Sequence, residues 1–419
     1  MRFGLIYHHQ LPRPWEEDSE ERLFNESLEQ IELADRLGFD YAWATEHHFL
    51  EEYSHSSAPE VFLAVAAART KRIRLAHGIV SLPAAVNHPA RVAERLATLD
   101  LLSGGRVDFG TGAGSSQLEL GAFEVDRDSK KDQWKESLDV VTRLLTEEPF
   151  TGHEGQWVNV PPRNLLPKPK QKPHPPLWMA CSARTTIETA ARNGLGALSF
   201  SFVSPEEAKE WVDAYYGIIN SEECLPAGKA VNPNFSVVFP FMCHPDEETA
   251  LDRGLDGAHF FSYSLMHYYI TGQHRPATTD VWQDFLDNRE AVGLTRNPAP
   301  PAEGEEISAE AKGMMEQITS LRRGIGTPEQ IADVIRRYED AGVDQVIFSV
   351  QIGKNQHEHI KESLELFAAE VMPEFVERRE ARERAKDERL AVAVKEALGR
   401  IEPNTTDVSD YVISPELGA

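Results

Sequence analysis

Residues 73–114 read IRLAHGIVSLPAAVNHPARVAERLATLDLLSGGRVDFGTGAG. The apolar run Ile73–Leu82 is typical of a buried strand, and Gly78 interrupts it. Pro89 stands at a favoured first helical position, and the segment Pro89–Leu102 is predicted to be a helix. A Ser-Gly-Gly turn at 103–105 leads into a second apolar run, Arg106–Phe109. This order of strand, helix and strand predicts a unit of two parallel strands joined by a crossover helix.

The same alternation continues on both sides of this unit. Eight short apolar runs are found along the chain, and nearly all of them precede a segment with helical spacing. Eight such repeats predict an α/β protein whose strands close into a (β/α)8 TIM barrel. The predicted strands are Arg2–Tyr7, Tyr41–Ala44, Ile73–Leu82, Arg106–Phe109, Leu177–Ala180, Ala197–Phe202, Phe235–Cys243 and Gln345–Val350.

Two segments do not fit the repeat. An insertion at about 246–326 separates the seventh strand from the last βα unit, and its residues 297–306 are rich in proline and glutamate. It forms either a lid over the barrel mouth or a helix on the outer wall with a disordered connector. The barrel is predicted to span 1–376, and 377–419 to form a charged helix and a tail on the surface or against a partner chain. The insertion carries an aromatic cluster of Phe260, Phe261, Tyr263, Tyr268 and Tyr269.

Composition narrows the classes of partner. The formal net charge is −25, which disfavours binding to nucleic acid or to an anionic membrane. Three widely spaced cysteines indicate neither a disulfide framework nor a zinc site. The chain begins without a secretory signal and contains no apolar run long enough to span a membrane, so we expect a cytoplasmic protein.

In a barrel of this type, functional residues lie at the C-terminal ends of the strands. After the fifth strand, Ser182 and Thr185 stand at the entry to a helix, where they either bind a phosphate or serve as an ordinary N-cap. After the fourth strand, GTGAG at 110–114 either lets a flat ring approach the backbone or makes a bend that closes the barrel. After the second strand, His47 and His48 point to opposite faces, so we expect no catalytic metal there.

Several of these segments, in this order, resemble the bacterial luciferase-like flavin-dependent monooxygenase family. The resemblance covers roughly residues 1–202, and the last βα unit more loosely. The segments that carry it are EHHF at 46–49, IVSLP at 79–83 with HP at 88–89, LLSGGRVDFG at 101–110, SART at 182–185 and AARNG at 190–194.

The resemblance implies an oxidoreductase that binds flavin mononucleotide (FMN) at the strand ends. It implies that the hydroxyls of Ser182 and Thr185, with the backbone at Cys181 and Ala183, hold the phosphate. It places Gly112 near the reactive flavin carbon. It also implies a cis peptide in the segment Gly78, Ile79 and Val80, beside the ring. His47 matches the histidine implicated in luciferase chemistry, and Glu46 stands beside it, so both are predicted to be catalytic.

Two positions depart from the family pattern. Ala113 stands where luciferase has an arginine, and Lys131 replaces an arginine early in the next helix, so the cofactor can be oriented differently. The predicted reaction takes reduced FMN from a separate reductase and uses O2 to oxidise a small organic substrate, apolar or ring-bearing. The alternatives are hydride transfer with the deazaflavin F420, or a barrel that binds flavin without turnover. The family also implies a homodimer, which we expect to form through Pro59–Arg69 and the helix after Pro89.

Overall fold

The computed structural model describes residues 1–200, 203–296 and 320–414. Its eight parallel strands lie in the order β3-β2-β1-β8-β7-β6-β5-β4, and β4 pairs back to β3 through Leu75–Val107 and Ala76–Asp108. This pairing closes the sheet, so the predicted TIM barrel is confirmed. The strands are β1 (Arg2–Tyr7), β2 (Tyr41–Ala44), β3 (Arg74–His77), β4 (Val107–Gly112), β5 (Leu177–Cys181), β6 (Gly196–Ser199), β7 (Phe235–Pro240) and β8 (Gln345–Gln351).

Helices surround the barrel and follow most of its strands. Within the described ranges, no helix is both long and apolar enough to cross a bilayer. The helices are α1 (Ser19–Leu37), α2 (Pro59–Arg69), α3 (Pro89–Leu102), α4 (Gln117–Ala122), α5 (Lys130–Thr146), α6 (Arg184–Arg192), α7 (Pro205–Ile219), α8 (Glu247–Met266), α9 (Val281–Asn288), α10 (Pro328–Asp340), α11 (His357–Glu370) and α12 (Met372–Gly399).

Several predicted strands differ in extent from the observed ones, and β4 continues to Gly112 although the prediction ended it at Phe109. The run 73–82 forms β3 and a separate two-residue strand, Val80–Ser81, on either side of Gly78. The run 235–243 leaves the barrel after β7, because Met242–Cys243 pairs with Ile325–Gly326 instead. β6 ends at Ser199, and residues 201–202 of the predicted sixth strand lie outside the described residues.

Inside the barrel, a small apolar cluster fills the space between the strands. Trp43 and Trp178 meet edge to face, with ring centroids 5.2 Å apart. Below them, Asp108 accepts a hydrogen bond from Trp178 Nε1 at 2.8 Å and pairs with Arg74 at 2.5 Å. The barrel is therefore a packed core, closed by paired polar groups toward the N-terminal ends of its strands.

The charged C-terminal helix α12 lies across that same end of its own barrel. Arg379 forms two hydrogen bonds with Asp40, at 2.7 and 3.0 Å, where the chain enters β2. Lys386 pairs with Asp344 at 2.8 Å, next to the start of β8. α12 therefore seals the bottom of the barrel, the end opposite the mouth.

The described part of the insertion combines features of both expected arrangements. α8 packs beside the strand pair that follows β7, since a Cβ on Gly254 would lie 2.5 Å from Met242 Cβ. A π-helical turn, His267–Thr271, then reaches the barrel mouth, and Ser116 Oγ bonds the carbonyl of Tyr268 at 3.3 Å. The proline- and glutamate-rich stretch 297–306 lies outside the described residues.

Candidate functional site

The turn from β5 into α6 presents two free hydroxyl groups. Ser182 and Thr185 are exposed, and within the described ranges neither hydroxyl has a hydrogen-bond partner. The N–H groups of Ser182 and Ala183 already donate to Thr186 Oγ1, at 3.2 and 3.1 Å. Cys181 is buried, and burial raises the pKa of its thiol to about 12. The groups available to an anion are therefore the two hydroxyls at the start of a helix.

The glycines of β4 lie against the segment that follows β3. A Cβ on Gly110 would lie 2.0 Å from the carbonyl oxygen of His77, and one on Gly112 would lie 2.8 Å from Ile79 Cδ1. These glycines therefore allow the close approach at the closing seam of the barrel. The Gly78–Ile79 peptide is cis, as the resemblance implied, and Val80 continues from it as a short strand paired with β4.

His47 follows β2 and is held by a carboxylate from another segment. Its Nδ1 lies 3.2 Å from Glu119 Oε1, and the same oxygen accepts the backbone N–H of His48 at 2.9 Å. The hydroxyl of Tyr269, from the π-helical turn, lies 3.5 Å from the same Nδ1. Three distant parts of the chain therefore meet at this imidazole, which remains partly exposed.

Glu46 lies in a different environment from His47, although the two are adjacent in sequence. Its side chain is almost fully buried and accepts hydrogen bonds from His48 Nε2 at 3.0 Å and from Asn87 Nδ2 at 2.6 Å. Asn87 in turn accepts a hydrogen bond from Arg95 of α3 at 2.7 Å. Burial opposes protonation of His48, but the bond and charge of Glu46 outweigh it and raise the pKa of that imidazole. This geometry suits Glu46 to a positioning role.

The two lysines at the start of α5 lie in different surroundings. Lys131 is exposed, whereas Lys130 is half-buried and its Nζ donates to the carbonyl of Gly114 at 2.6 Å. Burial, with the nearby charges of Arg127 and Lys131, lowers the pKa of Lys130. Lys130 therefore fixes the end of the GTGAG loop, and Lys131 leaves its ammonium free.

Aromatic rings line the same mouth. Tyr53, from a 3-10 turn after β2, lies 5.3 Å from the His47 ring and 5.9 Å from the Tyr269 ring, centroid to centroid. Phe261 of α8 lies 5.7 Å from Tyr53 and nearly parallel to it. Ile79 and Phe200, which follow β3 and β6, are partly exposed apolar side chains that pack against the Trp43–Trp178 cluster. The mouth therefore combines one polar pair, His47–Glu119, with an aromatic and apolar wall.

Sequence reasoning missed Glu119 and did not single out Tyr269 within the aromatic cluster. Glu119 lies in the six-residue helix α4, directly after GTGAG. The sequence offered one signal for Glu119, which is a carboxylate soon after the glycine loop at the end of β4. No local pattern could link it to His47, because the two residues are 72 positions apart.

A second concavity lies away from the mouth. A groove of about 550 Å³ runs between the C-terminal half of α5 and the segment 401–406. Arg143, its central cation, already bonds Glu147 at 2.8 Å and the carbonyl of Gly152 at 2.9 Å. Because helices of a barrel run antiparallel to its strands, this groove is on the bottom side and contains none of the predicted site residues.

Known proteins share this fold and these sequence features. The sequence pattern of the luciferase-like monooxygenase family matches residues 1–345. The oxygenase component of flavin-dependent trigonelline monooxygenase from Acinetobacter baylyi is 28% identical over 384 residues, which cover 90% of this chain and 96% of the relative.

Solved structures agree with this match. The monooxygenase RslO1 from Streptomyces bottropensis superposes with a TM-score of 0.68 at 26% identity, covering 90% of this chain and all of that one. The oxygenating constituent of 3,6-diketocamphane monooxygenase from Pseudomonas putida, solved with FMN, shares the fold with a TM-score of 0.65 at 20% identity, over 89% of this chain and 98% of that one. Because the family pattern matches most of the chain and the barrel agrees with it, this chain belongs to the luciferase-like monooxygenase family of oxidoreductases.

Proposed function

We propose that this protein is an oxygenase that uses reduced FMN and O2, and that a separate reductase delivers the reduced flavin. The observation that carries the proposal is a pair of features at one barrel mouth. His47 is held by Glu119 after β2, and the free hydroxyls of Ser182 and Thr185 follow β5. Because all barrel strands are parallel, both features lie on the same rim. The A. baylyi relative is itself an oxygenase component, which supports a two-component system.

The residues present fit a phosphorylated flavin. The Ser182 and Thr185 hydroxyls, at the start of α6, would bind its phosphate. Gly78, Ile79, Val80 and Gly112 would lie along the ring, and Lys131 has an uncommitted ammonium for an anionic group. Among these groups, the two hydroxyls carry the test of fit, since no described residue of the chain bonds them and a phosphate can.

The chain's own contribution to the reaction centres on one proton. When bound, reduced flavin supplies the electrons that the activation of O2 requires. An ionised Glu119 only accepts hydrogen bonds, so Nδ1 of His47 carries the proton and Nε2 is left to take or give one at the substrate. Burial raises the pKa of Tyr269, which keeps its hydroxyl protonated beside His47. Ile79 and Phe200 would exclude water from the reacting atoms.

A flavin-binding measurement tests the cofactor site. We expect the double variant Ser182→Ala/Thr185→Ala to raise the Kd for FMN at least tenfold in a fluorescence titration, since two phosphate contacts are lost. Thr405→Ala removes an exposed hydroxyl from the C-terminal segment and is the matched control. Unchanged FMN affinity in the double variant would contradict the site.

A turnover measurement tests the reaction class. Photoreduced FMN mixed with the wild-type protein, oxygen and a panel of ring-bearing compounds should yield an oxygenated product. Hydride transfer from reduced F420 without oxygen uptake would instead establish the deazaflavin reaction. If the protein binds FMN but forms no product from any compound, it is a flavin-binding protein without turnover, and the proposal is overturned.

We also propose that the protein is a homodimer. On α2, Val61 and Val65 are 63% and 44% exposed, and on neighbouring α3, Leu101 and Leu102 are 45% and 67% exposed. Apolar side chains on two adjacent helices favour burial against a second copy. Light scattering should report twice the mass of 47.0 kDa, and Val61→Glu should shift it toward the monomer. A wild-type monomer would contradict this proposal.

A further inference from the structure

A second histidine lies beside His47 at the barrel mouth. His8 directly follows β1, and its side chain is 1% exposed. Its Nδ1 is buried without a hydrogen-bond partner among the residues that the structure describes. A buried polar atom left unpaired is unfavourable, and such atoms are normally bonded to protein, water or ligand. No residue that the structure describes supplies that partner, so a ligand at the mouth can satisfy His8 Nδ1.

The surroundings of His8 are aromatic. Phe261 meets it edge to face at 4.8 Å between centroids, and Tyr53 does so at 6.0 Å. The His47 ring is nearly parallel to it, at 14° and 6.5 Å. Tyr269 completes the group through Tyr53. We call His8, His47, Tyr53, Phe261 and Tyr269 the aromatic pocket. Its members come from two strand ends, the turn after β2 and the insertion.

The charge state of His8 follows from this burial. Burial, followed by the proximity of His47 and His9, lowers its pKa well below the usual value. His8 is therefore neutral, with one ring nitrogen that donates and one that accepts. Such a group can bond a hydroxyl or carbonyl without requiring a charged ligand. By contrast, Glu119 and His47 already bond each other, so His8 is the mouth histidine with an unmet bond.

The adjacent His9 shows that an unpaired imidazole alone does not indicate a ligand site. Both of its ring nitrogens are also buried without partners. Its ring, however, lies 4.6 Å from Phe24 of α1 and 4.5 Å from Phe62 of α2. His9 is therefore part of the packing between barrel and helices, whereas His8 faces the histidine of the proposed reaction.

We propose that the aromatic pocket is the substrate site of this enzyme and that it takes a flat ring with one hydroxyl or carbonyl group, which hydrogen-bonds to His8. The inference rests on the proposed function for its chemistry, and on the pocket itself for its specificity. Flat rings pack edge to face or offset against Tyr53, Phe261 and Tyr269. The polar substituent satisfies the buried nitrogen of His8 and turns the ring toward His47.

Binding of three small probes to the full chain loaded with FMN tests the pocket without turnover. Phenol is flat and polar, cyclohexanol is polar but not flat, and toluene is flat but lacks the hydroxyl. Ligand-observed NMR titration should give phenol the lowest Kd, at least fivefold below each of the other two. Equal affinity for phenol and cyclohexanol, or no binding of phenol, would overturn the proposal.

Variants of His8 identify the bond. His8→Phe keeps an aromatic ring and should raise the Kd for phenol about tenfold while changing that for toluene less than twofold. His8→Asn restores a donor and an acceptor and should recover part of the phenol affinity. His9→Asn is the matched control, because asparagine accepts the left-handed backbone at that position, where φ is 51°. Phenol binding that is the same in His8→Phe and in the wild type would overturn the proposal.

The two proposals can fail separately. If phenol binding depends on His8 but reduced FMN and O2 oxidise no ring compound, the pocket stands and the monooxygenase assignment fails. If ring compounds are oxidised but the KM for phenolic substrates is unchanged in His8→Phe, the assignment stands and the pocket fails.

Discussion

The two ends of this barrel contrast in how their polar groups are used. At the bottom, α12 pairs its cations with carboxylates of the barrel, as in Arg379–Asp40 and Lys386–Asp344. At the mouth, the hydroxyls of Ser182 and Thr185 and the Nδ1 of His8 lack such partners within the described chain. The paired groups at the bottom join α12 to the barrel, whereas the groups named at the mouth are those that the proposed function assigns to ligands. Changes at the two ends should therefore have opposite effects on stability and activity.

The largest effect should follow from removing the acid–base group at the mouth. We expect His47→Asn to lower kcat for substrate oxidation by a factor of about 10² or more, because general acid–base catalysis supplies a gain of that order. The thermal midpoint and the Kd for FMN should stay close to wild type, since His47 is partly exposed. Product formation per bound FMN measures the effect, and a kcat within threefold of wild type would remove His47 from the mechanism.

At the bottom, the expected loss is in stability alone. Asp344 accepts the backbone N–H of Phe235 at 2.8 Å and also pairs with Lys386 and Tyr216. Asp344→Ala should lower the free energy of unfolding by about 2–4 kcal/mol, because it leaves buried donors unpaired. Arg384→Ala, on the same helix but in an exposed pair with Glu380, is the matched control and should cost no more than about 1 kcal/mol. Urea unfolding measures both free energies. If either folded variant lost FMN affinity, the bottom of the barrel would affect cofactor binding as well as stability, which would contradict this prediction.

A smaller effect on stability should appear at acid pH, and it arises from ion pairs of α12 at the bottom of the barrel. Hydrogen bonds from Arg336, and then Arg378, lower the pKa of Glu374 to about 2. A depressed carboxylate pKa contributes stability above the unfolded value of about 4.5, and this is lost as pH falls toward 2. Glu374 is partly exposed and solvent screens its ion pairs, so the contribution is small. Comparing the unfolding midpoints of wild type and Glu374→Gln between pH 5 and 2.5 measures it, and identical profiles would contradict it.

The smallest effect on stability should appear as pH rises above neutral, and it arises from an ion pair at the rim of the mouth. Glu46 raises the pKa of His48, so the protonated pair contributes stability below about pH 6.5 that is lost as pH rises through the raised pKa. The unfolding midpoint should therefore fall slightly between pH 6 and 9. His48→Gln should flatten that slope, and an equally steep slope in the variant would show that the Glu46–His48 pair does not titrate there.

The fold could be predicted because its signals are local. Apolar runs, helix-opening prolines and the Gly104–Gly105 turn each specify structure within a few residues, and eight repeats specify closure. The extents of β3 and β7 could not be predicted in the same way. They depend on which distant segment supplies the pairing partner: Val80–Ser81 pairs with β4, and Met242–Cys243 with Ile325–Gly326.

The site could be predicted only in part, for a related reason. Sequence adjacency suggested that Glu46 assists His47, but adjacent residues at a strand end face opposite sides, and Glu46 bonds His48 instead. The carboxylate that does bond His47 is Glu119, which no local pattern links to it. At the start of α5, a shift of one residue separates the exposed Lys131 from Lys130, which fixes the glycine loop. Which of the two lysines faces the loop depends on how α5 packs against the barrel, and the local sequence does not specify that.

Glu52 gives the insertion a consequence for protein engineering. Its fully buried carboxylate accepts the backbone N–H groups of Val281, at 2.6 Å, and Trp282, at 3.1 Å, at the start of α9. Its neighbour Glu51 accepts the N–H of Ala277 at 2.7 Å. The turn after β2 and residues 277–282 therefore form one exchangeable cassette, although more than two hundred positions separate them. A chimera that takes the insertion from a relative should therefore also take the residues at positions 51 and 52 from that relative. Otherwise the hydrogen bonds that hold the insertion beside His47 will be lost.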